Sequence, residues 1–305
     1  MFPALVNWDL ASLISKSLWY LAVICVAGGS FSLWLIGDNT RRFLVRNLYY
    51  VLIGSIAGFH GVLAYFLIQV GIANDDGLAG MMDWPMISFF LGTGVGEASL
   101  FRMAILLALI VGQLIALTHL NRRQKPPSLF FFRLLYRFNA GCLLALCLSL
   151  QVTGHIAPLS LLPRFALVLH VMAVSLWIGT LYPLRRVTLD YESEQMKLIM
   201  HRFGNCAFAI VGVLLISALV MAFQLITEAG ELVQSAYGLS LLTKITVVIC
   251  LLALAALNRW RLVPNLHQAE YIVRLRNSIT SEMVLAALIL LITVYLSTIV
   301  GPGHS

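Results

Sequence analysis

At 305 residues the chain is long enough for two soluble domains, but 60% of it is hydrophobic and only 11% is charged, against roughly 25% charged in soluble domains. With a mean hydropathy of +0.92, it has too few charges to cover a water-facing surface, so lipid is the solvent for much of it. The net charge of +7 does not point to nucleic acid, because the cations are spread over short loops and form no block.

The first apolar run, about 13–36, has no basic segment before it and is too long for a cleavable signal, so it reads as a retained span. Its Gly28-Gly29 suits close helix contact. Arg41, Arg42 and Arg46 lead into the second run, 46–73, which carries His60 well inside. Segment 74–96 is acidic. It holds the turn signal Asn74-Asp75-Asp76-Gly77, then Met81-Met82-Asp83-Trp84-Pro85-Met86 and an amphipathic stretch over 86–92. The third run, 97–119, opens with Glu97 and Arg102, for which an ion pair is expected. Arg122, Arg123, Lys125, Arg133 and Arg137 surround the loop to the fourth run, 133–153, and His155 follows that run. The fifth run, 163–184, carries His170 and, seven residues on and on the same face, Trp177. Arg185, Arg186, Lys197 and Arg202 precede the sixth run, 203–226, where Gly212 also suits close contact. The seventh run, 237–259, holds Lys244. Arg259, Arg261, Arg274 and Arg276 precede the eighth, 279–300. Glu282 lies in the first turn of that last run, where Arg259 or Arg261 is its expected partner and a helix N-terminus favours a carboxylate.

Each run reaches the roughly 20 apolar residues a bilayer requires, and none alternates as a barrel strand would. The predicted fold is all-α: one polytopic membrane domain over 1–305, a bundle of eight transmembrane helices. Every Lys and Arg except Lys16, Arg102, Arg164 and Lys244 lies in or beside alternate loops. The positive-inside rule assigns those loops to the cytoplasm. An even helix count then makes both termini periplasmic. The cysteines Cys25, Cys142, Cys147, Cys206 and Cys250 contain no CxxC and suggest no disulfide framework.

Polar groups inside a bilayer are costly and are functional candidates by default. His60, His155 and His170 are each either a metal ligand or a structurally bonded imidazole. Met81, Met82 and Met86 are soft donors suited to Cu(I), or residues that pack against lipid. A copper ion, Cu(I) or Cu(II), is the metal this set favours. There is no P-loop and no motif of a pumping ATPase, so no enzyme is expected.

The second half of the chain resembles the copper resistance protein D family of bacterial inner-membrane proteins. The matching pieces occur in order: Gly154-His155, Leu169-His170, Leu176-Trp177-Ile178-Gly179, Arg202-Phe203, Tyr237-Gly238, Leu241-Leu242-Thr243-Lys244, Ala256-Leu257-Asn258-Arg259, Leu262-Val263-Pro264 and Glu282. Thr93-Gly94-Val95-Gly96-Glu97-Ala98 with Arg102 is similar to the family's start of its third helix. Thr180 stands where the family usually has a second glycine. The resemblance implies multi-pass localisation in the bacterial inner (plasma) membrane. It also implies copper handling between periplasm and cytoplasm, with import favoured, beside a periplasmic CopC-like copper-binding protein. Glu97, Arg102, Trp177, Lys244, Asn258, Arg259 and Glu282 are then structural or pathway residues.

Three functions compete at this level. The first is copper transport through His60, His155, His170 and the three methionines. The second is a haem-binding electron carrier of cytochrome b type, with His60 and His170 as axial ligands. The third is a non-transporting copper sensor or docking protein that acts through segment 74–96.

Overall fold

The computed structural model describes residues 7–122, 127–151, 160–225 and 235–300. Among them there is no strand. The helices are α1 (Asn7–Ile36), α2 (Arg41–Asn74), α3 (Gly77–Gly80), α4 (Trp84–Leu91), α5 (Gly94–Arg122), α6 (Leu129–Leu148), α7 (Leu161–Asp190), α8 (Ser193–Leu225), α9 (Ala236–Leu257) and α10 (Ala269–Tyr295). Eight of these are long and apolar enough to cross a membrane. Only α3 and α4, between α2 and α5, are too short.

Side-chain caps set several starts. Thr40, Asp83, Ser128 and Ser235 each accept a hydrogen bond from the backbone N–H three residues on, at 3.4, 3.0, 3.2 and 3.0 Å. The helices outrun the apolar runs, chiefly at the ends that carry the basic loops. Both α8 and α10 begin ten residues before the apolar stretch expected of them. The added turns are amphipathic and carry their own support, such as Glu270 with Arg274 at 2.5 Å.

The basic loops meet at one end of the bundle. Arg41 donates to Asn121 at 3.0 Å, Arg185 to Thr280 at 2.9 Å, and Arg276 to the Thr188 carbonyl at 2.9 Å. Asp190 is nearly buried and takes Arg46 at 2.6 Å, Arg42 at 3.3 Å and Arg186 at 3.5 Å. Tyr191 donates to Asp38. These contacts join the α1–α2 loop, the end of α5, the α7–α8 junction and the start of α10.

Helix α1 is the axis of the bundle, packed against α2, α6, α7 and α10. Its most apolar window is 78% buried, against 6% for α8 and 11% for α9. Small residues allow this enclosure. A Cβ on Gly28 would stand 2.0 Å from the Gly179 carbonyl oxygen, and one on Gly179 would stand 2.1 Å from that of Ile24. The backbones of α1 and α7 therefore cross in direct contact. Gly29 instead makes room for the Val51 side chain of α2, whose Cγ2 would stand 2.2 Å from an added Cβ. Gly212 does not serve the close contact expected of it, because nothing lies within 4 Å of its Cβ position. It belongs to α8, which packs on α7 but leaves most of its surface open. Thr180 is fully buried and donates its hydroxyl back to Leu176. Two amide bridges join helices inside the core: Asn47 donates to Gly29 at 3.1 Å, and Gln113 to Asn139 at 2.8 Å.

Candidate functional site

His170 projects from α7 towards α8, where its Nδ1 lies 3.2 Å from Ser217 Oγ. The Ser217 hydroxyl donates to the Val213 carbonyl at 2.6 Å. Its oxygen is thus an acceptor for a proton on His170 Nδ1. With the proton on Nδ1, the Nε2 lone pair is the one left for a ligand, the arrangement metal-binding imidazoles use. Lys244 of α9 lies close enough to act electrostatically on the same ring. An ammonium there opposes a second cation, so copper at His170 is bound best with an anionic co-ligand or with Lys244 uncharged.

His60 sits on an exposed face of α2, and its Nδ1 is 2.8 Å from the Ile56 carbonyl of its own helix. It lies at about the depth of His170. Gly61 abuts Ser15 and Leu18 of α1, while His170 stands nine residues from Gly179, which abuts Ile24. Nine residues are about 13 Å of helix, which brings His170 level with Ser15 on the other flank of α1. His60 stands on the exposed face of α2 while His170 turns to Ser217 of α8, so the two imidazoles do not face each other.

Met81, Met82 and Met86 occupy the α3–α4 region at the acidic end. Met81 packs on Gly71 of α2, Met82 is exposed, and Met86 donates its amide to the Asp83 cap. His155 lies outside the described residues. Trp177 is buried in the hydrophobic core at the basic end of the bundle, beside Leu181 and Leu184. Among the described residues no three His, Cys, Asp or Glu side chains converge as a preformed metal centre.

Two expected contacts are replaced by others. Arg102 does not form the expected ion pair with Glu97. It donates to Ser149 Oγ at 2.9 Å and to the Ser149 carbonyl at 3.0 Å, and lies over the Trp19 ring at 5.0 Å. Five residues of helix turn a side chain by about 140°, so the two groups leave α5 on different faces. Glu282 is not in a first turn, because α10 starts at Ala269. Nor is its partner Arg259 or Arg261: it accepts a hydrogen bond from the Asn258 side-chain amide.

Local geometry explains that partner. Pro264 has no N–H with which to continue the α-helical ladder. The chain after Leu257 instead winds as a π-turn over Asn258–Leu262, then as a 3-10 turn over Val263–Asn265. π-turns of this kind gather at functional sites. Asn258 points at α10, while Arg259 donates to Asn205 of α8 at 3.0 Å and packs its other nitrogen against Gly204. Two polar pairs thus tie helices together near the basic end: Asn258 and Glu282, both buried, join α9 to α10, and the exposed Arg259–Asn205 pair joins the end of α9 to α8.

Ser217 and Asn205 were missed in the sequence, although each is a polar residue within an apolar run and so carried a signal. Lys16 was noted only as an exception to the loop pattern. It donates to the Ser297 carbonyl at 2.9 Å, within a second π-turn over Leu296–Val300.

Residues 197–296 match the family model of Copper resistance protein D. Comparison with curated proteins and with solved structures gives no match. The matched stretch runs along most of α8 and all of α9 and α10. It contains Asn205, Ser217, Lys244, Asn258, Arg259 and Glu282. With eight helices long and apolar enough to cross a membrane, the chain is a multi-pass membrane protein that is similar to the copper resistance protein D family over residues 197–296.

Proposed function

We propose that the chain moves copper ions between periplasm and cytoplasm across the bacterial inner membrane, with import as the favoured direction. The match of residues 197–296 to the copper resistance family carries this reading. The acidic end, with α3 and α4, is taken as periplasmic and the basic end as cytoplasmic, from the distribution of Lys and Arg. Copper would first meet Met81, Met82, Met86 and His155. It would then reach His170, whose Nε2 is the nitrogen left for a ligand. His60 faces lipid and is outside this line. A path of successive weak ligands suits a cargo that must also leave, so no closed metal centre is required. A CopC-like donor would dock on the acidic-end segment, where Met82, Trp84 and Phe89 are exposed.

The test is copper accumulation in cells that express the chain at matched membrane levels. His170→Ala and a combined Met81→Leu, Met82→Leu, Met86→Leu variant should each lower accumulation, while His60→Ala should not. Unchanged accumulation in both the His170 and the triple-methionine variants would overturn the reading.

A further inference from the structure

Glu282 is a carboxyl group with 3% exposure inside a membrane-spanning helix. In such a place an ionised oxygen requires a counter-charge, and a neutral one requires a proton. Its partner, the Asn258 amide, carries no charge. The charged groups on the elements packed against α10 are directed elsewhere. Beyond α9, Arg259 is bonded to Asn205 and Arg261 is exposed. On α9 itself, Lys244 lies fourteen residues before Asn258, about 21 Å of helix towards the other end. On α7, Arg185 is bonded to Thr280, Arg186 pairs with Asp190, and Arg164 is at the opposite end. The charges of α1 are Asp9 and Lys16, also at the opposite end. On α10, Arg276 is bonded to Thr188 and Arg274 to Glu270. No ion pair with Glu282 occurs among the described residues.

The surroundings of this carboxyl are polar beyond their own hydrogen bonding. Asn258 Oδ1 and Ser278 Oγ are buried without a partner. Ser278 is one turn before Glu282, and Asn258 is its hydrogen-bond donor. Buried polar atoms are rarely left this way in a purely structural cluster. Here they flank an acid near the basic end of the bundle.

We propose that Glu282 is a proton-binding site in the membrane interior, loaded and unloaded during the transport cycle. One proton leaves the carboxyl oxygen for water at the basic end, and the carboxylate so formed is held by the Asn258 N–H until another proton replaces it. No electron moves. The coupling to copper rests on the transport reading above; the proton site does not.

Infrared difference spectra of the full-length protein, titrated with acid and base, test the site directly. A protonated-carboxyl band that shifts in deuterated water should appear and disappear with pH. It should be lost in Glu282→Gln, displaced in Glu282→Asp and Asn258→Ala, and retained in Glu270→Gln on the exposed face of the same helix. A titrating band that survives Glu282→Gln, or its absence from the unaltered protein, would overturn the proposal. In proteoliposomes, an imposed pH gradient should change the rate of copper uptake by the unaltered protein and should have no effect on Glu282→Gln. A Glu282-dependent band in a protein that moves no copper would retain the proton site and remove the copper reading.

Discussion

Helices α1 and α8 are alike in length but opposite in surroundings. The candidate span of α1 has 30 residues, a hydropathy of 1.8 and is 78% buried; that of α8 has 31 residues, a hydropathy of 2.7 and is 6% buried. The more apolar helix is the one left facing lipid. In water the reverse would hold. In a bilayer, lipid chains solvate Leu and Phe as well as a protein core does, so hydrophobicity alone does not drive helices together. Enclosure goes instead to the helix that can be approached closely or bonded. On α1 that means Gly28 and Gly29, and Ser32, whose oxygen accepts a bond from Asn47 at 2.6 Å. The stretch that matches the copper resistance family begins in α8 and includes this loosely enclosed side of the molecule.

This contrast can be broken most sharply at glycine. Gly28→Val would drive a side chain into the α7 backbone. Overpacking a tight contact costs about 1–3 kcal/mol or more, and this contact cannot yield without separating two backbones. Gly212→Val on α8 meets open space and should leave thermal unfolding in detergent near that of the unaltered protein. Equal losses in the two variants would refute the enclosure argument.

A smaller effect is expected at the basic end. Asp190→Ala leaves three arginines without their shared carboxylate. Complete removal of a buried partner costs about 3–5 kcal/mol, and the partial exposure of these arginines reduces that to roughly 1–3 kcal/mol. Arg42→Ala, at an exposed guanidinium, should cost under about 1 kcal/mol. Chemical denaturation of the two variants gives the order directly.

On the lipid-facing side the expected change is in binding rather than stability. Lys244→Met removes the charge that acts on His170, so copper retained by the purified protein should rise. His170→Ala in the same background should abolish the gain. A gain that survives His170→Ala would place the copper elsewhere.

The smallest effect concerns Tyr191, just beyond α7. Burial, aided by its hydrogen bond to the Asp38 carboxylate, holds this phenol above its ordinary range. Its raised value contributes stability that is fully present below the unfolded tyrosine value of about 10. That contribution is lost as pH rises above this value. Tyr191→Phe should cost about 0.5–1.5 kcal/mol near neutral pH and flatten part of the alkaline decline. An unchanged alkaline profile would count against the Asp38 contact.

The ligand residues show how far a chain can be read without its fold. His170 was recognisable because an imidazole in an apolar run is costly anywhere. Its hydrogen-bond partner was not, since Ser217 is 47 residues away and on another helix. Glu97 and Arg102 looked like partners by proximity in the chain, yet helix rotation sends them to different faces. Glu282 was visible as an intramembrane acid. Its partner depended on a π-turn caused by Pro264, a distortion that no apolar pattern records.

Span number, the grouping of the basic loops at one end and the acidic α3–α4 connection followed from local composition, because hydrocarbon thickness and the cost of burying charge act on each segment independently. The central place of α1, the direct α1–α7 backbone crossing and the hold of Asn258 on Glu282 arose only in the assembled bundle. Each is a contact between helices, and in lipid such contacts are selected by shape and hydrogen bonding rather than by the hydrophobicity a sequence displays.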